Sequence, residues 1–166
     1  KAELFFDNNL VLQVRISERI PVARIFTNAG NSFYIDSSGE QLPLSDRFSA
    51  RLPVFTGFPA ESAKLSSSDS LLVRHITMLG EYLQQHPFWK AQVAQVAITA
   101  DRNFELMPVV GNHTIEFGDG TDIETKFKKL MLFYKMVLRK TGMDVYKRIN
   151  VKFKGQVVCS KTISEH

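Results

Sequence analysis

The chain predicts an α+β fold, a mostly antiparallel sheet with two helices packed against it. Short apolar runs separated by hairpin-type turns fill the first half of the chain and return after residue 93. Two other stretches, near 69–86 and from Thr121 to Gly142, place their apolar residues at helical spacing. The resulting order is strands, helix, strands, helix, strand. The whole chain has 166 residues and is 44% hydrophobic, enough for one or two modest domains with a real core.

The first elements are a hairpin, in which Asp7-Asn8-Asn9 joins Leu4-Phe5-Phe6 to an alternating strand from Leu10 to Ile16. Leu12, Val14 and Ile16 share one face of that strand. Pro21 then removes a ladder donor, so the strand leaves or joins a sheet edge there, and the segment reads as a hinge between two sheets. Phe33, Ile35 and Leu42 suggest a ribbon folding over Ser37-Ser38-Gly39. Leu52 to Pro59 is extended, since Pro53 and Pro59 exclude a helix.

Ser66-Ser67-Ser68-Asp69 offers N-caps for the first helix, whose stripe of Leu72, Ile76, Leu79 and Leu83 runs until His86-Pro87 stops it. Strands follow at Val93 to Ile98, Glu105 to Val110 and Thr114 to Phe117, forming a meander. Thr121-Asp122-Ile123-Glu124 has the pattern of a capping box opening the second helix. Phe127, Leu130, Met131, Tyr134, Val137 and Leu138 form its apolar stripe, and Arg139-Lys140-Thr141-Gly142 ends it with a left-handed cap. Ile149, Val151 and Phe153 alternate with Asn150, Lys152 and Lys154 in a final strand that continues past Gly155 through Val157 and Cys159.

The formal net charge of +4 permits an acidic partner, an anionic surface or nucleic acid without selecting among them. The basic residues of the second helix, Lys126, Lys128, Lys129, Lys135, Arg139 and Lys140, read as a solvated face, and no aromatic strand face or helix-turn-helix accompanies them, so nucleic acid is not the expected partner. Cys159 is the single cysteine, which excludes an intrachain disulfide and a Cys-x-x-Cys motif. His75, His86, His113 and His166 are scattered without metal-ligand spacing, so no metal or other cofactor is expected. Gly118-Asp119-Gly120-Thr121-Asp122 opens a helix but lacks a P-loop lysine and an EF-hand glutamate, so a tight turn explains it. No run of about 20 apolar residues occurs, so the chain by itself reads as soluble.

The final strand is the segment to which a binding mechanism attaches. Apolar residues on one face, lysines on the other and a glycine midway fit a protected edge strand that admits one partner by strand addition. A fully paired central strand fits the same pattern.

Five segments resemble, in order and spacing, the bacterial FtsQ/DivIB cell-division family, with a flavour of its Bacteroides-like members. They are the run from Leu10 through Pro21-Val22-Ala23-Arg24, Ser32 to Gly39, Leu52 to Gly57, Lys126 to Leu130, and Tyr146 to Phe153. The resemblance implies that residues 1–20 are the last strands of a truncated POTRA domain and that 21–166 form the β domain. It also implies a non-enzymatic scaffold of the divisome, held in the inner membrane by one transmembrane helix absent from this sequence, with this part in the periplasm. FtsB-like and FtsL-like proteins are the implied partners, met at the C-terminal strand.

Carried over from that family, the partner-binding positions are Lys152, the aromatic Phe153, Lys154 in place of a small polar residue, Gly155 and Val157. Asp119 stands where the family has an arginine that pairs with an acidic partner residue, so the corresponding ion pair is absent, reversed or supplied by Lys126. A small-ligand or enzymatic α+β domain is the alternative reading, and the hairpin at 1–20 predicts weak self-association.

Overall fold

The computed structural model describes residues 2–6, 11–16, 18–44, 51–59 and 67–161. Among these, two sheets form: a two-stranded one of β1 (Ala2–Phe6) and β2 (Leu12–Ile16), and a nine-stranded one. The change of sheet falls between Ile16 and Pro21, where β3 (Pro21–Thr27) begins. The turn Asp7-Asn8-Asn9 lies outside the described residues; β1 and β2 pair antiparallel, with Leu4 opposite Val14 and Phe6 opposite Leu12. Leu4, Phe6, Leu12, Val14 and Ile16 are all exposed, so this ribbon presents an uncovered apolar face.

The large sheet also contains β4 (Ser32–Asp36), β5 (Gln41–Leu42), β6 (Val54–Phe58), β7 (Val93–Ile98), β8 (Phe104–Pro108), β9 (Thr114–Gly118), β10 (Tyr146–Asn150) and β11 (Val158–Lys161). Its order is β11-β10-β9-β8-β7-β6-β3-β4-β5. Most pairs are antiparallel, as expected, while β3 with β6, β6 with β7, and β9 with β10 run parallel. Each parallel pair follows a long connection, which is what parallel pairing requires. The ribbon over Ser37-Ser38-Gly39 forms because the Asp36 carboxylate accepts from Ser38 N, Ser38 Oγ and Glu40 N.

Among the described residues three helices cover one face of this sheet: α1 (Ser67–Gln85), α2 (Pro87–Gln92) and α3 (Ile123–Phe133). Ala23, Ile25, Ile35, Phe55, Val96, Leu106, Ile115 and Ile149 share that face, all nearly inaccessible, and meet Leu72, Ile76, Leu79, Leu83 and the α3 stripe. Burial of one such side chain contributes roughly 1.5–3 kcal/mol. The opposite face is polar along β8 to β10, where Glu105, Glu116, Arg148 and Asn150 lie in register. No helix among the described residues is long and apolar enough to cross a membrane.

Four local expectations are corrected. Pro87 does more than stop α1: it occupies the first turn of α2, where its missing N–H and fixed φ suit a helix start, and so a third, short helix appears. Thr121 does not cap α3, because the helix starts at Ile123 and the N-cap position falls on Asp122, with φ 51° and no side-chain cap bond, while the Thr121 hydroxyl donates to Asp119 Oδ1 at 2.6 Å. The second helix changes to a π-helical turn at Tyr134–Leu138 before closing at Arg139–Thr141, and Gly142 has positive φ but extended ψ rather than a left-handed cap. Finally, the expected single C-terminal strand is two strands, β10 and β11, folded back on each other around Gly155, which has φ 75°. Of the expected caps of α1, Ser66 lies outside the described residues, while Ser67, Ser68 and Asp69 fall within the helix itself.

Candidate functional site

The C-terminal corner of the sheet is built from β9, β10, β11, the 151–157 connector and α3. Ile149 and Val151 alternate into the core, which fixes Arg148, Asn150 and Lys152 on the polar side. Glu116 of β9 is the centre of that polar side. It accepts from Arg148 Nε, from Asn150 Nδ2 at 2.6 Å and pairs with Lys152 Nζ at 3.2 Å, while Arg148 also reaches Glu105. The Arg148 hydrogen bond is the main cause holding the Glu116 carboxyl below its ordinary range, against the opposing effect of burial.

The 151–157 connector is held from the other side by Lys129 of α3. Its ammonium donates to the carbonyls of Val151 at 2.9 Å, Phe153, and Gln156 at 3.5 Å. Partial burial pushes the Lys129 pKa down. Lys152 N donates to Asn150 Oδ1 at 2.9 Å, which turns the chain out of β10. Between this connector and α3 lies a mostly apolar groove of about 280 Å³, lined by Leu132, Phe133, Met136, Val137, Gly155 and Val157 among others.

The residues expected to bind a partner thus come together, but in different roles. Phe153, 48% exposed, sits in the connector and not on a strand. Lys154 and Gly155 are exposed there, Val157 is half-buried against the core, and Lys152 is tied to Glu116. Asp119 and Lys126 satisfy each other: Lys126 Nζ donates to Asp119 O at 2.9 Å and Oδ1 at 3.0 Å, and lies 5.1 Å from the Phe117 ring centroid. Lys126 is only 6% exposed, so its charge is committed to Asp119 rather than offered outward.

Sequence reasoning placed Lys129 on a solvated helix face and so missed the residue that organises the connector. The signal that could have found it is its position one helical turn from both Lys126 and Phe133, on the flank of the buried stripe. The edge itself is β11, which pairs only with β10 among the described residues and ends the sheet. The Cys159 thiol there is half-buried, and burial pushes its pKa up. His75 accepts from Gly120 N at 3.4 Å, and His113 lies buried between Met143 O at 3.2 Å and Tyr134 Oη at 3.0 Å.

The Asp119 carboxyl gives a direct test of this geometry. Hydrogen bonds from Thr121 and Lys126, Thr121 first, hold its pKa at about 2, below the ordinary 3.8. A depressed carboxylate stabilises the fold fully above its unfolded value, and that contribution is lost as pH falls through about 2. Carbon-detected NMR titration is expected to place its midpoint near 2. Thr121→Ala should raise that midpoint, and an unchanged midpoint in the variant would contradict the assignment.

These features place the last described strand of the sheet, an exposed aromatic and an apolar groove at one corner of an α+β fold. A family model described as FtsQ/DivIB, C-terminal related, matches residues 20–160. The cell division protein FtsQ of Salinibacter ruber (strain DSM 13855 / M31) is 26% identical over 159 residues, covering 89% of this chain and 58% of that protein. The chain therefore spans a little over half the length of that relative. The family match begins one residue before β3 and ends inside β11, so it takes in the whole described course of the nine-stranded sheet but one residue, and on that extent the chain belongs to the FtsQ/DivIB C-terminal-related family.

Proposed function

We propose that this chain is the extracytoplasmic part of a non-enzymatic cell-division scaffold, which recruits FtsB-like and FtsL-like proteins at the corner formed by β11, the connector and α3. The observation that carries the reading is that β11 ends the sheet and that the connector leading into it carries exposed Phe153 and, at Gly155 and Val157, one wall of the apolar groove. An edge strand supplies main-chain hydrogen bonds to an added segment, and an adjoining groove reads its side chains. The uncovered face of β1–β2 supports placing that ribbon at the end of a POTRA domain, and the family supports an inner-membrane anchor with this part in the periplasm.

Calorimetric titration with the periplasmic segment of the FtsB-like protein from the same organism tests the reading. Phe153→Ala is expected to cost about 2 kcal/mol, roughly thirtyfold in affinity, as for a buried aromatic anchor. Lys154→Ala should mainly change the salt dependence. Of the neighbouring residues Cys159 and Ser160, one directs its N–H outward, so proline at that one should abolish binding while sparing the β10 pairing. Asn150 is unsuitable for such a test, because β10 lies between β9 and β11 and a proline there breaks the protein's own sheet. Unchanged affinity in folded Phe153→Ala and in both proline variants would move the partner surface elsewhere.

A further inference from the structure

On the opposite side of α3 from the proposed partner groove, a second cavity of about 550 Å³ opens between α2, the β8–β9 turn and the π-helical turn. Its size falls in the range typical of small-molecule sites, roughly 300–1,000 Å³. Phe88, Val110, Met131 and Met143 supply apolar walls, and Lys135 and Arg139 stand at the rim. π-helical turns are rare and concentrate at functional positions, and this one carries both Tyr134 on the cavity wall and Lys135 at its mouth.

The polar groups on the wall are already satisfied. Tyr134 Oη bonds His113 Nε2 at 3.0 Å, and Gln92 Nε2 donates to Val110 O at 3.1 Å. The interior therefore makes no polar demand on an occupant. The two methionines are unbranched and can adapt to the shape of an apolar occupant, a flexible alkyl chain included. The rim is different: Lys135 and Arg139, four residues apart on one helical path, are exposed and form no ion pair among the described residues. Apolar walls under two uncommitted cations match an anionic head on an apolar tail, and an arginine offers a carboxylate a two-point contact.

We propose that this cavity binds a long-chain carboxylate, its alkyl chain between Phe88, Val110, Met131 and Met143 and its head between Lys135 and Arg139. The site is independent of the partner surface, so either can stand without the other. Trp89, the single tryptophan, reports on it directly, since its ring centroid lies 4.8 Å from Phe88 and 5.7 Å from Tyr134.

The test is titration of the chain with sodium dodecanoate below its micellar concentration, followed by Trp89 fluorescence and calorimetry. One saturable site per chain is expected, weakened roughly tenfold or more in the double variant Lys135→Glu/Arg139→Glu. Both substituted side chains are exposed, and circular dichroism confirms that the variant is folded. Acetate, a head without a tail, and dodecyltrimethylammonium, a tail with the opposite head, should give no saturable change. The proposal is overturned if dodecanoate does not saturate, if the double variant binds it as well as the parent chain, or if the cationic amphiphile binds equally. It is also overturned if dodecanoate is silent while a synthetic acidic amphipathic helix saturates the Trp89 signal, which would make the cavity a polypeptide groove.

Discussion

Phe127→Ala is expected to destabilise the protein by about 3–5 kcal/mol, the usual cost of emptying a buried phenylalanine site. Phe127 is fully buried and is the point where α3 meets everything else. Its ring stacks on Tyr82 of α1 at 4.7 Å and approaches Trp89 of α2 at 4.8 Å and Phe117 of β9 at 4.9 Å. Three elements converge on one side chain, so they cannot all collapse into the space it leaves, and the cavity cost adds to the lost burial. In urea, where a domain of this size has a slope of roughly 2 kcal/mol/M, the midpoint should fall by about 2 M. Leu132→Ala is the control on the same helix: Leu132 is 62% exposed and should change stability by no more than about 0.5 kcal/mol. A midpoint shift in Phe127→Ala no larger than that of the control would mean that α3 is not fastened to the sheet through this ring.

The sequence was informative wherever a local pattern and tertiary packing asked for the same thing. The stripe of Leu72, Ile76, Leu79 and Leu83 is buried as its spacing predicts, and Val93 to Ile98 is a strand within the limits expected. It misled where the backbone path decides which residue takes a position. Asp122, in a left-handed conformation, takes the N-cap of α3 one residue later than the Thr121 pattern implies, and Thr121 is left in the preceding turn, where its hydroxyl donates to Asp119. Period-2 alternation through Val151, Phe153 and Val157 also could not distinguish one long strand from two short ones. The deciding interaction is the ammonium of Lys129, which draws the carbonyls of Val151, Phe153 and Gln156 together and so makes an extended path there impossible. A lysine 22 residues away in sequence is invisible to a local pattern. The sequence proposed the candidate partner residues as one set, whereas their division into exposed Phe153, Lys154 and Gly155 and internally paired Asp119, Lys126 and Lys152 depends on such long-range pairs.

Lys129→Met should therefore loosen the candidate partner site without unfolding the sheet. Methionine keeps the apolar stem of lysine but cannot donate, so the three carbonyls lose their common partner. Hydrogen bonds involving a charged group contribute about 1.5–3 kcal/mol each when buried. Here the connector is exposed beyond Val151, so Phe153 and Gln156 can turn to water and the net loss should be about 2 kcal/mol rather than the sum. The effect is local: amide hydrogen exchange between Lys152 and Gln156 should accelerate severalfold while Ile115 and Ile149 in the core strands remain protected. Because a partner docking on Phe153 must then order the connector at its own cost, its affinity should fall by roughly tenfold, mainly through faster dissociation. Phe153→Ala and Lys129→Met act on the same contact, one by removing the anchor and the other by releasing its backbone, so their effects on affinity should be less than additive. If instead the two losses add in full, or exchange in the connector does not change, Lys129 does not organise the site and the connector is held by β10 and β11 alone.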